Sequence, residues 1–486
     1  MITIQLNRAD FEYDIYSLVK AFFPTENISV SIGKKETEEE VSFHIVTNYQ
    51  ENSIEIFLFE SESEDIPKCE IVVETEFSNR KQTKNHLKQA YYKLLSDYTG
   101  KTLPWGTLTG IRPIKIPMAF LEEGSKEAFI KRYMKETYFV SDEKIDLSID
   151  VAKREYSLLH QLDFENGYSL YIGIPFCPST CLYCSFTSYP LSMWEGRIDE
   201  YLDALELELV FAAGRFRDKY LNTVYIGGGT PTTLNPNQLR RLIQMVHNHF
   251  DLSHCLEFTV EAGRPDSITK EKLMVLKELG ISRISINPQT MKEETLRIIG
   301  RHHTAEQTVE RFFLARELGF DNINMDLIVG LPNETFQDVE ATLERIMELK
   351  PDNLTIHSLA LKRAARLNMF REEYQNLTFE NTEHTIALTA DYAKRMEMEP
   401  YYLYRQKNMA GNFENVGYAK QGKAGIYNVL IMEEKQTIVA LGAGSITKRV
   451  YPDGRIKRCE NVKEVALYME KIDEMIDRKR KLLTEE

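Results

Sequence analysis

From Ser169 onward, short apolar, β-branched runs alternate with longer stretches of helical period. Strands are predicted over 169–175, 223–226, 256–261, 282–287, 322–329 and 353–358. Between them, Ile198 to Tyr220 places Tyr201, Leu202, Leu205 and Leu209 at helical offsets. A second helix, from Ala305 to Leu318, follows Thr304, a good N-cap, and stops at Gly319, a good terminator. Strand and helix alternate six times, which predicts an α/β fold with a parallel sheet and right-handed crossovers. Six units fall two short of a closed eightfold barrel, so an open three-quarter barrel is expected over 166–378, its open side wide enough for a large substrate.

Residues 1–165 carry a different pattern and are expected to form an N-terminal α+β accessory domain. Strands are predicted at 2–6, 42–48, 54–59 and 70–74, then a helix from Gln82 to Asp97 with Leu87, Ala90, Tyr91, Leu94 and Leu95 on one face. The run Leu103 to Pro113 is dense in turn residues and reads as a packed connection, with Trp105 and Arg112 also candidates to touch a ligand. Asp163 to Tyr168 marks a boundary. Residues 379–486 are expected to form a small C-terminal α+β domain over the substrate. It would hold a helix from about 380, the run Pro400 to Arg405, strands at 426–432 and 436–441, and a closing charged helix.

Charge and composition narrow the function. With 60 Lys and Arg against 74 Asp and Glu, the net charge of −14 argues against a general nucleic-acid binder, though a local basic patch is still possible. A hydrophobic fraction of 43% is that of an ordinary globular chain. No apolar run reaches the roughly 18 residues of a membrane span. The start, Met1 to Asp14, lacks the basic-then-apolar layout of a signal peptide. A cytoplasmic protein is expected, where thiols stay reduced. A monomer is expected as well.

Three of the six cysteines fall in one loop directly after the first barrel strand: Cys177, Cys181 and Cys184, spaced C-x3-C-x2-C. A structural zinc site needs a fourth ligand, and the loop has no further Cys or His. A disulfide framework needs a cysteine-dense secreted chain. Three thiolates bind three irons of a [4Fe–4S] cube and leave the fourth open to a small molecule. For this spacing the usual occupant is S-adenosylmethionine (SAM), held through its amino and carboxylate groups. Pro175 and Pro178 stiffen the approach, and Phe176, Tyr183 and Phe186 are expected to shield the cluster. Cys69, Cys255 and Cys459 are scattered and expected to be small buried hydrophobes.

Further polar residues stand at the ends of successive strands. The second barrel strand runs into Gly227-Gly-Gly-Thr230, which lacks the lysine of a phosphate loop and suits a bound amino group. Glu261 closes the third strand, Gln289 follows the fourth and Asp326 lies in the fifth. In β/α barrels this is the ligand-binding face. A carboxylate or amide there suits ribose hydroxyls, and Arg301 suits a carboxylate by bidentate pairing.

Together the cysteine loop, Gly-Gly-Gly-Thr-Pro-Thr232 and the Gln289 and Asp326 runs resemble the radical SAM superfamily. Tyr171-Ile-Gly-Ile-Pro-Phe-Cys177 narrows the resemblance to the oxygen-independent coproporphyrinogen III oxidase group. Glu261-Ala-Gly-Arg-Pro-Asp266, Tyr404 to Asn415 and the long N-terminal domain resemble its HemZ-type branch. The resemblance spans about residues 95–450 and implies an open three-quarter (β/α)6 radical SAM barrel. It implies a cluster on Cys177, Cys181 and Cys184, and SAM contacts at Tyr171, Tyr183, Gly228, Gly229, Thr230, Glu261, Gln289, Arg301, Asp326, Ala360 and Ile446.

The reaction it implies is oxidative decarboxylation of coproporphyrinogen III. A SAM-derived radical would take hydrogen from the β-carbon of a propionate, and loss of CO2 and one electron would leave a vinyl group. Two cycles give protoporphyrinogen IX. A low-potential donor of the flavodoxin or ferredoxin class would supply electrons. Tyr171, Arg405 and Lys407 are the expected catalytic residues, with Arg264, Tyr404 and Asn408 as further candidates to meet the four carboxylates of the tetrapyrrole. Two positions depart from the family pattern: Phe186 stands where coproporphyrinogen dehydrogenases carry a fourth cysteine, and Gly173 where they carry His. Relatives with Phe there include haem chaperones. A haem-binding chaperone and a radical SAM enzyme of another tetrapyrrole reaction, such as anaerobic haem breakdown, therefore stay open as alternatives.

Overall fold

A computed structural model describes residues 1–33, 41–60, 66–186, 188–360, 365, 374, 376–406 and 413–484. The chain packs as two compact units: Met1–Ala152 with Tyr404–Glu414, and Lys153–Leu403 with Asn415–Glu486. The sequence suggests three domains, divided at 165/166 and 378/379. In the structure most of the C-terminal third belongs to the second unit, because its strands continue the barrel sheet.

The first unit is built on a five-stranded sheet. Its strands are β1 (Ile2–Leu6), β2 (Ile28–Ile32), β3 (Phe43–Tyr49), β4 (Ser53–Phe59) and β5 (Cys69–Glu74), ordered β2-β1-β3-β4-β5. Strict alternation buries Ile45 and Thr47 of β3 and Ile54, Ile56 and Leu58 of β4. Against this face lie the helices Glu12–Phe22, through Ile15, Leu18 and Val19, and Arg80–Thr99, through Leu87, Tyr91 and Leu95. The helix Glu12–Phe22 and β2 are not foreseen from sequence. The helix starts at Phe11, which adopts φ 60° and offers no side-chain cap, so the usual start signal is missing. β2 is five residues alternating Ile or Val with Ser, four half-buried and Ile32 exposed, too short to stand out.

The second unit contains an eleven-stranded sheet and a small β7–β8 pair. Its strands are β6 (Gly167–Ile174), β7 (Phe176–Cys177), β8 (Tyr189–Pro190), β9 (Tyr220–Gly228), β10 (Glu257–Gly263), β11 (Arg283–Ile286), β12 (Ile323–Val329), β13 (Asn353–Ser358), β14 (Glu399–Tyr404), β15 (Asn415–Ala419), β16 (Thr437–Leu441), β17 (Ile446–Val450) and β18 (Ile456–Glu460). The order is β14-β15-β13-β12-β11-β10-β9-β6-β16-β17-β18. The six central strands, β6 and β9 to β13, are mutually parallel and neighbours in chain order, as the (β/α)6 arrangement requires. β16 adds in parallel to β6 and β15 antiparallel to β13. Helix Ala305–Glu317 starts at Thr304, the expected N-cap, which forms a capping box with Gln307.

The register explains where a site can form. Ser169 pairs with Thr223, Tyr171 with Tyr225, Thr259 with both Tyr225 and Arg283, Ser285 with Asn324, and Asp326 with Thr355. These positions, with Glu257, Glu261, Asn353 and His357, lie two apart along their strands and so share one face. That face is almost wholly polar. The opposite face carries Leu170, Ile172, Val224, Ile226, Phe258, Val260, Ile284, Met325, Leu327, Leu354 and Ile356, all buried.

One predicted strand is a helix. Residues 426–432 form most of the helix Ile426–Glu433. Its short apolar run carries no decisive period. The Glu257 carboxylate accepts the N–H groups of Ile426 at 2.7 Å and Tyr427 at 3.4 Å, satisfying donors that open a helix. Among the described residues no helix is long and apolar enough to cross a membrane.

Candidate functional site: a cysteine loop over a polar sheet face

The cysteine loop leaves β6 at Pro175 and is tied down on two sides. Towards β9, the amide of Gly229 donates to Ile174 O at 2.8 Å and that of Thr230 to Phe176 O at 2.7 Å. A Cβ on Gly229 would sit 2.6 Å from Phe176 O, and Gly228 adopts φ 106°, so both positions need glycine. Thr230 Oγ1 donates to Cys177 Sγ at 3.5 Å. On the other side Ser179 Oγ donates to Gly300 O at 2.8 Å and the amide of Leu182 to Ile299 O at 2.9 Å.

All six cysteines are free thiols. Burial pushes the Cys177 thiol up to about 11, outweighing the Thr230 hydrogen bond, and the other two loop thiols push it further. Burial likewise raises Cys184. Cys69, Cys255 and Cys459 are partly buried rather than fully enclosed. Phe176 is fully buried and Tyr183 half-buried. Phe186 is 71% exposed, so its ring does not enclose the loop as expected.

The polar face supplies the rest. Arg301 is buried, donating to Asn287 O at 2.5 Å and to Tyr183 Oη at 3.2 Å. Burial disfavours its charge, but the neighbouring Tyr183 and Cys181 outweigh this and hold it protonated. Glu261 accepts a short hydrogen bond from Tyr225. Burial pushes Glu261 up to about 7, only partly offset by that bond, and Asp326 raises it further. Asp326 accepts from Asn324 Nδ2 at 2.7 Å. Burial pushes Asp326 up, yet His357, Asn324 and Thr355 together hold it below the usual carboxylate value. Gln289 adopts φ 69°, uncommon outside glycine. Its amide donates to Asp326 O at 3.0 Å and its carbonyl accepts from Ile328 at 2.9 Å, which fixes the strained turn. Ala360 forms a bridge just past β13, and Ile446 opens β17 at 42% exposure.

Some participants were missed from sequence. Tyr225 and Tyr427 stack with the expected Tyr171, with centroids 4.5 Å apart for Tyr225–Tyr427 and 6.1 and 6.2 Å for the pairs with Tyr171. Tyr427 gave no signal, since its segment reads as a strand. His357, at the end of the sixth barrel strand, follows the same strand-end logic as Asp326. Arg264, proposed from sequence for substrate carboxylates, is buried against the cysteine loop. Arg405 is placed in the first unit, buried, its guanidinium donating to Leu108 O and its amide to Ile111 O. Lys407 and Asn408 lie outside the described residues.

The residues suit an iron–sulfur cluster with SAM. Among the described residues no three His, Cys, Asp or Glu side chains already converge as a metal site. The fit rests instead on donor chemistry and unmet polar demand. Three thiols share one pinned loop, and iron would hold them as thiolates. Ser285 Oγ, Asn287 Oδ1 and Gln289 Oε1 are buried without hydrogen-bond partners on or beside the polar face. Unsatisfied groups of this kind point to a polar ligand.

The comparisons agree. The family described as the Radical SAM superfamily matches residues 171–346. The chain is 41% identical over 414 residues to the oxygen-independent coproporphyrinogen-III oxidase-like protein HemZ of Bacillus subtilis, covering 84% of this chain and 83% of that one. It is 40% identical over 195 residues to the heme chaperone HemW of the same organism, covering 40% of this chain and 51% of that one. The solved structure of coproporphyrinogen III oxidase (HemN) from Escherichia coli has a TM-score of 0.52 and 24% identity, covering 64% of this chain and 70% of that one, which shows the shared fold. The chain therefore belongs to the radical SAM superfamily, among the oxygen-independent coproporphyrinogen III oxidase-like proteins, a family that uses a [4Fe–4S] cluster and SAM.

Proposed function

We propose that this protein is a radical SAM oxidoreductase of haem biosynthesis that decarboxylates the propionates of coproporphyrinogen III. The observation that carries the reading is a three-cysteine loop pinned to the strand ends, next to a polar face on or beside which Ser285, Asn287 and Gln289 keep buried polar atoms without partners. Bound there, a reduced cluster and SAM supply one-electron cleavage of the sulfonium and the radical that removes hydrogen from substrate.

The chain's own part is to bind and orient. Cys177, Cys181 and Cys184 would hold the iron, and the Gly227–Thr230 backbone would take the SAM amino group. Arg301, held charged, suits the SAM carboxylate. Asp326, held ionised, and Gln289 suit ribose hydroxyls. Glu261 accepts the hydrogen bond of the Tyr225 hydroxyl, and its raised value lets it accept or donate a proton near neutral pH. The apolar outer face, covered by helices, gives the site rigid walls. Tyr171 would position the cofactor. Lys407 stays a candidate for substrate carboxylates.

A second reading has a specific observation in its favour. Phe186 stands where a fourth cysteine is expected, and a relative of 40% identity is named as a heme chaperone. One anaerobic assay separates the two. Reconstituted protein, SAM, a strong reductant and coproporphyrinogen III should release CO2 matched by 5′-deoxyadenosine, with vinyl products identified by mass. Stoichiometric haem binding with no porphyrinogen-dependent CO2 release would replace the oxidase with the chaperone.

A further inference from the structure

Two guanidinium groups meet at Cys181. Arg301 approaches from the segment after the helix Glu293–Ile298 and interacts favourably with the thiol. The other belongs to Arg264, at the end of β10 and only 3% exposed. Its Nη1 donates to Ser179 Oγ at 2.7 Å and Ser179 O at 3.1 Å, and lies 4.0 Å from Cys181 Sγ. Nε and Nη2 are gripped by Asp266, at 3.0 Å from Oδ1 and 2.6 Å from Oδ2. The guanidinium thus cannot swing away. Burying a cation is costly unless it is paired and hydrogen-bonded. Here Asp266 supplies the pairing, and the remaining edge, through Nη1, holds Ser179 of the cysteine loop.

We propose that Arg264 is a positioning residue that fixes the Ser179–Cys181 segment and raises the reduction potential of the cluster held there. The proposal rests on the cluster reading of the site. Reduction adds negative charge to a cluster, and hydrogen bonds and positive charge near its sulfurs stabilise the reduced form. Asp266 works against Arg264, because its carboxylate cancels part of the guanidinium's field. The pair therefore sets the potential by opposition. Substitutions at its two members should move the potential in opposite directions, which a purely structural role would not do.

The test is a redox titration of anaerobically reconstituted full-length protein without SAM, followed by electron paramagnetic resonance, with iron and sulfide counted in each sample. Arg264→Met should titrate at a more negative potential than wild type, Arg264→Lys between the two, and Asp266→Asn at a more positive potential. Should Arg264→Met fail to load, the Lys and Asn variants still give the two opposed shifts. Fully loaded variants that titrate with the wild type, or that all shift the same way, overturn the proposal. A wild type that takes up no iron or sulfide overturns the cluster reading itself, and this proposal with it.

Discussion

Glu414 accepts the indole N–H of Trp105 at 2.7 Å across 309 residues of sequence. Its other oxygen pairs with Lys144 Nζ at 2.8 Å, and both charged side chains are buried. Burial disfavours the Lys144 charge, but Glu414 outweighs this and holds the ammonium protonated. Arg405, nine residues before Glu414, lies over the Trp105 ring at 5.6 Å. Arg405 and Glu414 are thereby anchored inside the first unit. Trp105 serves as a packed anchor, which its turn-rich surroundings suggested.

This anchor is expected to be worth more than any surface ion pair. Lys144→Met leaves a buried carboxylate without its cation and should cost about 3–5 kcal/mol. Trp105→Phe removes one donor and should cost about 1–3 kcal/mol. Arg405→Ala is expected to act first on stability. Denaturant unfolding checks all three, and losses below about 0.5 kcal/mol would show that the pairing is incidental.

At the proposed SAM site, Asp326→Ala and Arg301→Ala should weaken SAM binding while iron and sulfide content stays full. A buried charged hydrogen bond is worth about 1.5–3 kcal/mol, or about ten- to a hundredfold in affinity. Calorimetric titration of the reconstituted variants measures it. Wild-type affinity in both would remove these residues from the site.

Two glycines side by side should respond differently to one methyl group. A Cβ on Gly442, at φ 94°, would lie 2.4 Å from Gly173 O, whereas a Cβ on Gly173 meets Leu441 O at an ordinary 3.4 Å. Gly442→Ala is expected to cost at least 1–3 kcal/mol, about the range for overpacking, and Gly173→Ala much less. Melting temperatures decide it, and equal losses would refute the close approach.

The fold was largely legible because the barrel obeys local rules. Six apolar strands with helices between them announce parallel pairing, and Thr304 and Gly319 bracket their helix as their chemistry demands. The cysteine loop was legible from spacing alone. Other features were not, because they depend on partners distant in sequence. Nothing local tells that Glu257 caps the Ile426–Glu433 helix, that Tyr427 stacks on Tyr225, or that Arg264 turns to the cysteine loop. Arg405 reads as a contact for substrate carboxylates, yet it is buried over the Trp105 ring. Phe186 reads as a shield and points to solvent.

Acid–base behaviour follows from buried carboxyls. Burial raises Glu261 from 4.5 to about 7 and Glu334 to about 6, and pushes Glu155 well up, with Glu433 adding to it. A carboxyl whose folded value exceeds its unfolded one binds more protons when folded, between the two values. Raising the pH through that window removes stability, by at most about 1.4 kcal/mol per pH unit per group. Stability of the cofactor-free protein should therefore fall from about pH 4.5 to about pH 7, and Glu261→Gln should flatten part of that slope. Unchanged pH dependence in this variant would mean that Glu261 is ionised throughout.

The last prediction concerns the loop that leads to Ile446. Glu208 is fully buried and each of its oxygens is doubly used. One accepts the Gly442 amide at 2.8 Å and the Tyr468 hydroxyl at 2.6 Å. The other accepts Asn461 Nδ2 at 2.8 Å and the Lys479 ammonium, which is also fully buried. Asn461 Nδ2 also donates to Gly442 O at 2.8 Å, so the carboxylate and amide together clamp the turn after β16. That turn abuts Gly173 on β6, the strand feeding the cysteine loop. Lys479→Met strands the Glu208 charge and should cost about 3–5 kcal/mol, with weaker SAM binding as the turn shifts. The double variant Glu208→Gln, Lys479→Met removes the stranded charge and should recover much of the stability, since neutral replacement of a buried pair is often close to neutral. A double variant no more stable than Lys479→Met would show that Glu208 holds the turn through its charge-assisted bonds to Gly442 and Tyr468, not through its pairing with Lys479.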